Sequence, residues 1–471
     1  MPRMQCAYRA ACLAAILLFT PAVSATPDES LATEEEPVVE AATLVRPALL
    51  SGPGFSVDSR VELRGYMGRF TLDTSFGPLQ AESVEILDER TAELPALEAL
   101  DRVTRSEAFL QAAGDRLAAT GRALAQIVLN PVDTVLGIPA GVARYFTGRV
   151  GKVGRQAQSL ADRTARELGT AGDAWPDAAG PMTDARAGDG PAAEPDEDPW
   201  YEPIQKEATR EIKRRIKYGQ VKRALAERLG IDPYTTNPLI QERLSGLAWV
   251  GSGGNFSAGT ALGTVGGVGA EVLSTGGQIN DLVWKLGPEE LRDRNGERLQ
   301  AWCRDEFLIR QFLRRGAFSP TLQTALADAL DTLQPAGGCD ALLELGMTAA
   351  SRLEARFLVN ALRMLAAQPG ERAKGGQLRP IGAGLAYAAI DGEMLLPLPV
   401  DRLSWTAEVR DFLDRPEFRV VHKTVLIAGD ASLAARRGLA ERGWNIRLHA
   451  PWPGAPPYAG GNEPAAVDVD R

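Results

Sequence analysis

The chain has 471 residues, of which 45% are hydrophobic and 24% are charged, and its formal net charge is −9. This hydrophobic content argues against a wholly disordered chain, and the length is enough for two to four domains. The acidic balance lacks the excess of basic residues that nucleic-acid-binding proteins carry, so no nucleic-acid partner is expected.

The first 25 residues have the order of polarity of a secretory signal peptide. Arg3 and Arg9 accompany an apolar run over residues 10–19, which is about half the length needed to span a bilayer. Pro21 ends the run, and small residues follow, which predicts cleavage after Ala25 and export to the periplasm or cell envelope. Cleavage removes both arginines and brings the net charge from −9 to −11. A retained membrane anchor is the alternative.

Export leaves Cys303 and Cys339 as the only cysteines of the mature chain. An even pair in an oxidising compartment predicts a disulfide bond, and the alternative is two separately buried thiols. Two cysteines and two histidines are too few for an ordinary metal site, and the chain has no convincing cofactor motif. Neither a metal nor a cofactor is therefore predicted.

The mature chain is predicted to begin with a disordered leader and a first folded unit. Residues 26–50 open with a run of acidic residues that lacks apolar periodicity. In residues 51–168, apolar and polar residues alternate as far as Leu87, and apolar residues then recur at helical spacing from Leu94. A small antiparallel sheet of three or four strands, followed by helices, is expected, with Ala81–Leu87 as its last strand.

Two basic helices are predicted on either side of a linker. Residues 142–155 place apolar side chains on one face beside four uncompensated basic residues, and residues 202–229 carry a similar narrow apolar stripe with basic flanks. The first helix suits an anionic membrane, or it is a helix packed on one side with a solvated basic face. The second suits an acidic surface, such as lipid head groups or the acidic linker before it, or it is an ordinary surface helix. Residues 169–199, rich in Ala, Gly, Pro and Asp, are predicted to be a disordered linker.

The segment from 244 to 270 contains no charged residue and is unusually rich in glycine. Gly259, Gly263 and Gly267 are spaced by four, so on a helix they would form one smooth ridge. Each glycine inside a helix costs about 1 kcal/mol relative to alanine, so such a helix needs a partner surface. Three interpretations remain open: a helix packed within the protein, a flexible glycine loop, or contact with a membrane.

Helices are expected to fill the rest of residues 200–370, and a small α/β unit is expected at 371–455. Residues 288–368 hold three helices with short connections, which predicts a bundle. The α/β unit reads β-β-α-β-α-β, and residues 456–471 are predicted to be a flexible tail. The predicted class is therefore α+β and predominantly helical, with a small N-terminal antiparallel sheet, a central helical bundle and a small C-terminal α/β layer.

Candidate catalytic residues are few, and none stands in a strong motif. Asp430 follows a predicted buried strand, at the end where α/β sheets usually bind ligands, although an Asp there more often caps a helix. His422 and His449 are the only imidazoles, and both fall in predicted strands. Ser252 lacks the first glycine of a nucleophile elbow, because Val250 stands there.

These patterns favour a non-catalytic function. We expect an exported envelope protein whose glycine ridge and basic helices serve structural packing or association with a membrane or another envelope protein. The alternative is a periplasmic hydrolase that uses paired carboxylates, or Asp430, in the C-terminal α/β unit.

Overall fold

The fold contains both helices and β-sheets. A computed structural model describes residues 32–120, 146, 217–252, 281–369 and 374–461, with 114–120 described by their backbone alone. The described residues form twelve helices and three sheets of six, five and two strands. The prediction of a predominantly helical chain is wrong, and the class is mixed α+β. It failed because six of the strands are only two or three residues long, too short for an alternation of apolar and polar residues to be recognised.

The first sheet is antiparallel throughout and has six strands, where three or four were predicted. Its strands are β1 Val38–Glu40, β2 Ser51–Gly52, β3 Phe55–Val57, β4 Arg60–Arg64, β5 Met67–Thr74 and β6 Gly77–Ala81. They lie in the order β1-β4-β5-β3-β2, with β6 also paired to β5. Gly65 and Tyr66 join β4 to β5 with positive φ angles of 56° and 68°, which is typical of a type I′ hairpin turn.

Residues 32–50 lie within the predicted disordered leader but are ordered. β1 pairs with β4, and the carboxylate of Glu36 accepts the two backbone N–H groups of the β4–β5 turn. The carboxylate of Glu34 accepts the backbone N–H of Trp405 at 2.6 Å. These acidic side chains therefore bind backbone donors from distant parts of the chain, a role that local composition cannot reveal.

Five helices form around an apolar cluster that we call the root cluster. They are α1 Val84–Thr104, α2 Glu107–Thr120, α3 at residues 217–229, α4 Pro238–Gly251 and the single turn α5 Leu282–Lys285. The cluster is built from buried side chains of α1, α3, α4 and α5: Leu97, Leu100, Leu225, Leu229, Ile240, Leu244, Leu247, Ala248 and Trp284. Phe109 of α2 packs against its edge.

The start of α1 corrects the predicted strand Ala81–Leu87. β6 ends at Ala81, and the hydroxyl of Ser83 accepts the backbone N–H of Ile86 at 3.1 Å. A serine in this position caps the free N–H groups of a first helical turn, so the chain enters a helix at Val84.

A second group of helices surrounds α10. They are α6 Pro288–Gln300, α7 Glu306–Leu313, α8 Pro320–Leu333, α9 Cys339–Met347 and α10 Arg352–Ala366. The third predicted helix of this region is divided into α9 and α10, because Ser351 caps a new helix by accepting the N–H of Glu354. α10 packs against α8 on one side and against strands β8 and β9 of the C-terminal sheet on the other.

The C-terminal sheet has five strands in the order β13-β11-β9-β8-β7. They are β7 Gln377–Ile381, β8 Gly384–Ala388, β9 Met394–Leu398, β11 Lys423–Ile427 and β13 Asn445–Arg447, and β10 Arg402–Leu403 pairs separately with β12 Asp430–Ala431. β7, β8 and β9 are antiparallel, whereas β9, β11 and β13 are parallel and are connected by α11 Ala407–Leu413 and α12 Leu433–Glu441. The carboxyl ends of the three parallel strands therefore lie at one edge.

The predicted disulfide bond joins Cys303 and Cys339, with 4.9 Å between their Cα atoms. Cys303 lies between α6 and α7, Cys339 begins α9, and both are buried. The carboxylate of Asp340 also accepts the N–H groups of Arg304 and Asp305, at 2.9 and 3.1 Å. A covalent link and two hydrogen bonds thus fix the start of α7 against α9.

Replacing both Cys303 and Cys339 with alanine is expected to lower the free energy of unfolding by about 3–4 kcal/mol, because the bond closes a loop of 36 residues. Urea unfolding of the oxidised protein and of the double variant measures the difference. Dithiothreitol should shift the midpoint of the wild type and leave that of the variant unchanged. Equal midpoints for the oxidised wild type and the variant would contradict the structural role of the bond.

Candidate functional site

Two helices meet through side chains of opposite charge. The first turns of α1 carry Glu85, Asp88 and Glu89 at helical spacing, so the three carboxyl groups share one face. α10 supplies Arg356 and Asn360, one turn apart, to this face. The polar groups are largely buried and form a charged cluster within the described interior.

Arg356 is the centre of the contact. Its Nη1 donates to Glu85 Oε1 at 3.0 Å, its Nη2 donates to Glu89 Oε2 at 3.1 Å, and the amide of Asn360 donates to Glu85 Oε2 at 2.6 Å. Only 16% of the Arg356 side chain and 15% of the Glu85 side chain are exposed. Burial would lower the pKa of the guanidinium, but the carboxylates of Glu89 and Glu85 raise it, so Arg356 stays charged.

Asp401 connects four parts of the chain from a position just beyond β9. Its Oδ2 accepts the backbone N–H groups of Gly68 at 2.8 Å and Val84 at 3.0 Å. The hydroxyl of Tyr458 donates to Oδ1 at 3.0 Å, and the backbone N–H of Asp401 donates to the carbonyl of Tyr66 at 3.1 Å. One side chain, 1% exposed, thereby holds β5, α1 and the residues after β13 against the C-terminal sheet.

Burial raises the pKa of Asp401 to about 7, although the hydrogen bonds from Gly68, Val84 and Tyr458 oppose the shift. The negative charge of Glu85 adds to the increase. Protonation of Asp401 breaks no hydrogen bond. A protonated Oδ1 can donate to the Tyr458 oxygen, and Oδ2 still accepts from both of its N–H donors. Burial, and then the neighbouring carboxylates Glu89 and Glu85, raise the pKa of Asp88 to about 8.

A cavity lies beside Asp401, between α1, α10 and the residues that follow β13. The space within it is about 270 Å³ with open solvent included, and it has room for about one water molecule. Polar groups of Glu85, Arg356, Asn360, Asp401 and Tyr458 line it. The remaining walls come from Met67, Ser83, Leu353, Phe357, Pro399 and Trp452. The cavity therefore combines an apolar wall with several hydrogen-bonding groups.

Asp430, the predicted candidate for catalysis, lies outside this cluster. Its carboxylate forms an ion pair with Arg436 and accepts the backbone N–H of Ala431 at 2.7 Å. It does not cap α12, because Ser432 accepts the N–H of Ala435 in that role at 2.9 Å. The carboxylate of Asp430 is thus engaged by nearby residues. The backbone N–H of His449 donates to the carbonyl of the adjacent Gly429 at 3.4 Å, but in the described structure no hydrogen bond joins the His449 imidazole to the Asp430 carboxylate.

The other candidate residues are His422, His449 and Ser252. His422 is exposed and precedes β11, whereas His449 follows β13 with a positive φ of 51°, so neither lies in the strand that was predicted for it. The hydroxyl of Ser252 donates to the carbonyl of Trp249 at 2.9 Å and closes α4. The described residues contain no group of three or more His, Cys, Asp or Glu side chains able to hold a metal ion.

The glycine ridge of Gly259, Gly263 and Gly267 lies outside the described residues. Phe146, which belongs to the apolar face of the first predicted basic helix, is described and is 3% exposed. Its ring contacts those of Tyr66 and Phe412 edge-on, with centroids 4.7 and 5.4 Å away. At this residue the apolar face contacts protein. Among the described helices, none is long and apolar enough to cross a membrane.

The residues of this polar cluster were not among the candidates predicted from the sequence. Glu85, Asp88 and Glu89 recur at helical spacing, which is a visible signal, but the predicted strand up to Leu87 obscured it. Asp401 has no local signal, because its partners Gly68 and Val84 are 333 and 317 residues away. Comparison of the chain with protein-family models, with curated proteins and with solved structures found no match.

Replacing Arg356 with methionine is expected to lower the free energy of unfolding by about 3–5 kcal/mol, because Glu85 and Glu89 would be left largely buried without their cation. Arg310 offers a matched control, since its ion pair with Glu306 is exposed, and Arg310→Met should cost no more than about 1 kcal/mol. Urea unfolding at pH 7 gives both values. A similar small loss in both variants would show that the buried ion pair is not structural.

Stability is expected to fall as the pH rises from about 4 to about 8. The folded-state pKa values of Asp401 and Asp88 lie above the unfolded value of 3.8, so the stability linked to their protons is present at low pH and lost as the pH passes about 7 and 8. Asp401 alone accounts for a change on the order of 4 kcal/mol. Urea unfolding at a series of pH values measures this decline.

Asp401→Asn reproduces the protonated carboxyl and should flatten the decline between pH 4 and 7. Asp414→Asn is the control. A hydrogen bond from Arg442 lowers the pKa of Asp414, so titration of Asp414 changes stability only in more acidic solutions. An equally steep decline in wild type and Asp401→Asn would remove Asp401 as its cause.

Proposed function

We propose that the protein is an exported, non-catalytic component of the cell envelope that associates with a membrane surface or with another envelope protein through the segment 244–270. The observation that carries this proposal is the anchoring of that segment. α4 precedes residues 253–280 and α5 follows them, and both helices contribute side chains to the root cluster.

The anchoring contacts are apolar and well buried. Leu244 and Leu247 of α4 are fully buried, and Trp284 of α5 is 7% exposed. The indole N–H of Trp284 also donates to the carbonyl of Ile231 at 2.9 Å, in the connection between α3 and α4. A glycine-rich segment joined at both ends to one rigid cluster suits a contact element that the folded body supports.

Two further observations support the proposal. The buried bond between Cys303 and Cys339 suits an oxidising compartment, as expected after export. The engagement of Asp430 with Arg436 and Ala431, away from the polar cluster, favours a non-catalytic role over the alternative hydrolase. Phe146 contacts protein, and Leu244 and Leu247 are buried in the root cluster, so the proposed membrane contact rests on residues 253–270 of the uncharged segment.

The mature chain is expected to co-sediment with vesicles of phosphatidylethanolamine and phosphatidylglycerol. Gly263→Asp should lower the bound fraction at least tenfold, because an Asp at the centre of a membrane helix costs roughly 2.5–3.5 kcal/mol. Gly337→Asp is the matched control, since the space around Gly337 is open and the substitution adds the same charge elsewhere.

Fractionation of cells then separates the two kinds of association. Wild-type protein that sediments with cell envelopes but not with lipid vesicles would indicate a protein partner. Recovery of the wild type from the periplasm as a fully soluble monomer indifferent to lipid would contradict the proposal, as would unchanged association of the Gly263→Asp variant.

A further inference from the structure

The cavity beside Asp401 lies where α/β sheets bind ligands. β9 ends at Leu398, and Pro399 and Asp401, which line the cavity, follow at its carboxyl end. β9 is also the strand at which the sheet changes from antiparallel to parallel pairing. Crevices beyond the carboxyl ends of parallel strands are the usual binding positions in such sheets.

Trp452 lines the cavity and carries a hydrogen-bond donor that the described protein does not satisfy. The residue is 6% exposed, lines the cavity, and its indole Nε1–H has no partner among the described residues. Buried donors in native proteins nearly always have a partner, so a donor unmatched by the described residues, on a residue that lines a cavity, suits an acceptor bound there.

The other polar groups restrict what that partner is. Glu85 and Asp401 carry acceptor oxygens and Arg356 and Asn360 carry donors, whereas the hydroxyl proton of Tyr458 is already donated to Asp401. A carboxylate or phosphate would be repelled by Glu85, and an ammonium group would leave the Trp452 donor unmatched. A hydroxyl group accepts from Trp452 and donates to a carboxyl oxygen, and it carries no charge.

The size of the cavity agrees with a single hydroxyl group. It has room for about one water molecule, and the space of about 270 Å³, with open solvent included, is below the usual range for pockets that enclose a complete ligand. A larger molecule would insert one hydroxyl group, while its remainder lies across the mouth. Arg356 and Glu85, which line the cavity, keep 16% and 15% of their side chains exposed.

We propose that the cavity lined by Trp452, Asp401, Glu85 and Asn360 binds a hydroxyl group of a sugar or another neutral polyol. The indole N–H of Trp452 donates to the hydroxyl oxygen, and the hydroxyl proton is donated to a carboxyl oxygen of Glu85 or Asp401. This site does not involve the segment 244–270, so a result against membrane or partner association would not contradict polyol binding, and the reverse also holds.

Titration of the mature protein with D-glucose, N-acetylglucosamine and glycerol, followed by NMR of the indole N–H resonances, tests the site. At least one of these polyols should shift the Trp452 signal in a saturable way, with a Kd of about 1 mM or weaker because only one hydroxyl group is enclosed. Tetrahydropyran, a sugar-like ring without hydroxyl groups, and acetate should leave the signal in place.

Trp452→Phe keeps an aromatic wall but removes the donor, and should weaken binding roughly two- to tenfold, as expected for one neutral hydrogen bond. Trp444→Phe is the matched control, because the indole N–H of Trp444 is likewise buried and unmatched in the described structure, but Trp444 does not line the cavity. Its binding should equal that of the wild type.

Two results would overturn the proposal. One is the absence of any saturable shift at Trp452 with all three polyols, which would show that the cavity takes water alone. The other is a shift whose affinity is the same in wild type and Trp452→Phe, measured on a remaining resonance. The wild-type titration does not depend on how well either variant folds.

Discussion

The carboxyl group of Asp401 is the interaction on which the remainder of the structure depends. It binds backbone N–H groups from the end of a hairpin and from the first turn of α1, and the hydroxyl of Tyr458 from beyond the last strand. Such bonds are short and directional, so the N-terminal sheet and the C-terminal sheet have one relative position near this residue. α1 is positioned in the same way, which brings Glu85 and Glu89 within reach of Arg356.

Burying charged groups is unfavourable for the free energy of folding, and two features of this structure reduce that penalty. Near Arg356 the carboxylates are paired with a cation, whereas Asp401 and Asp88 have raised pKa values and bind protons close to neutral pH. Stability and cavity chemistry are therefore linked, since the residue that joins the sheets also supplies an acceptor to the cavity. Membrane or partner association, by contrast, is proposed for a segment anchored at the root cluster.

Features that depend on neighbours along the chain were predictable from sequence. Cys303 and Cys339 were the only cysteines outside the predicted signal peptide, so their pairing was a limited choice. Asp391–Gly392, a residue pair typical of hairpin turns, lies between the antiparallel strands β8 and β9. The start of α8 at Pro320, after the cap Ser319, was predictable for the same reason.

Features that depend on distant partners were not predictable. The acidic residues Glu34 and Glu36 have the composition of a disordered leader, but their hydrogen-bond partners lie in other parts of the fold. The same holds for Asp401 and for the pairing of Arg356 with α1. The shortest strands, such as β2 and β12, exist because neighbouring strands hold them, and two residues carry no periodicity of their own.

The two ends of the described chain also lie together. Val45 forms a bridge with Tyr458, and the guanidinium of Arg46 donates to the carbonyl of Gly461, 415 residues away. A contact between such distant residues closes a very large loop, whose entropy must be lost before the contact forms. Val45 and Arg46 therefore complete their native contacts only once residues 458–461 have been synthesised, so this edge of the fold stays unpaired until nearly all of the described chain is present.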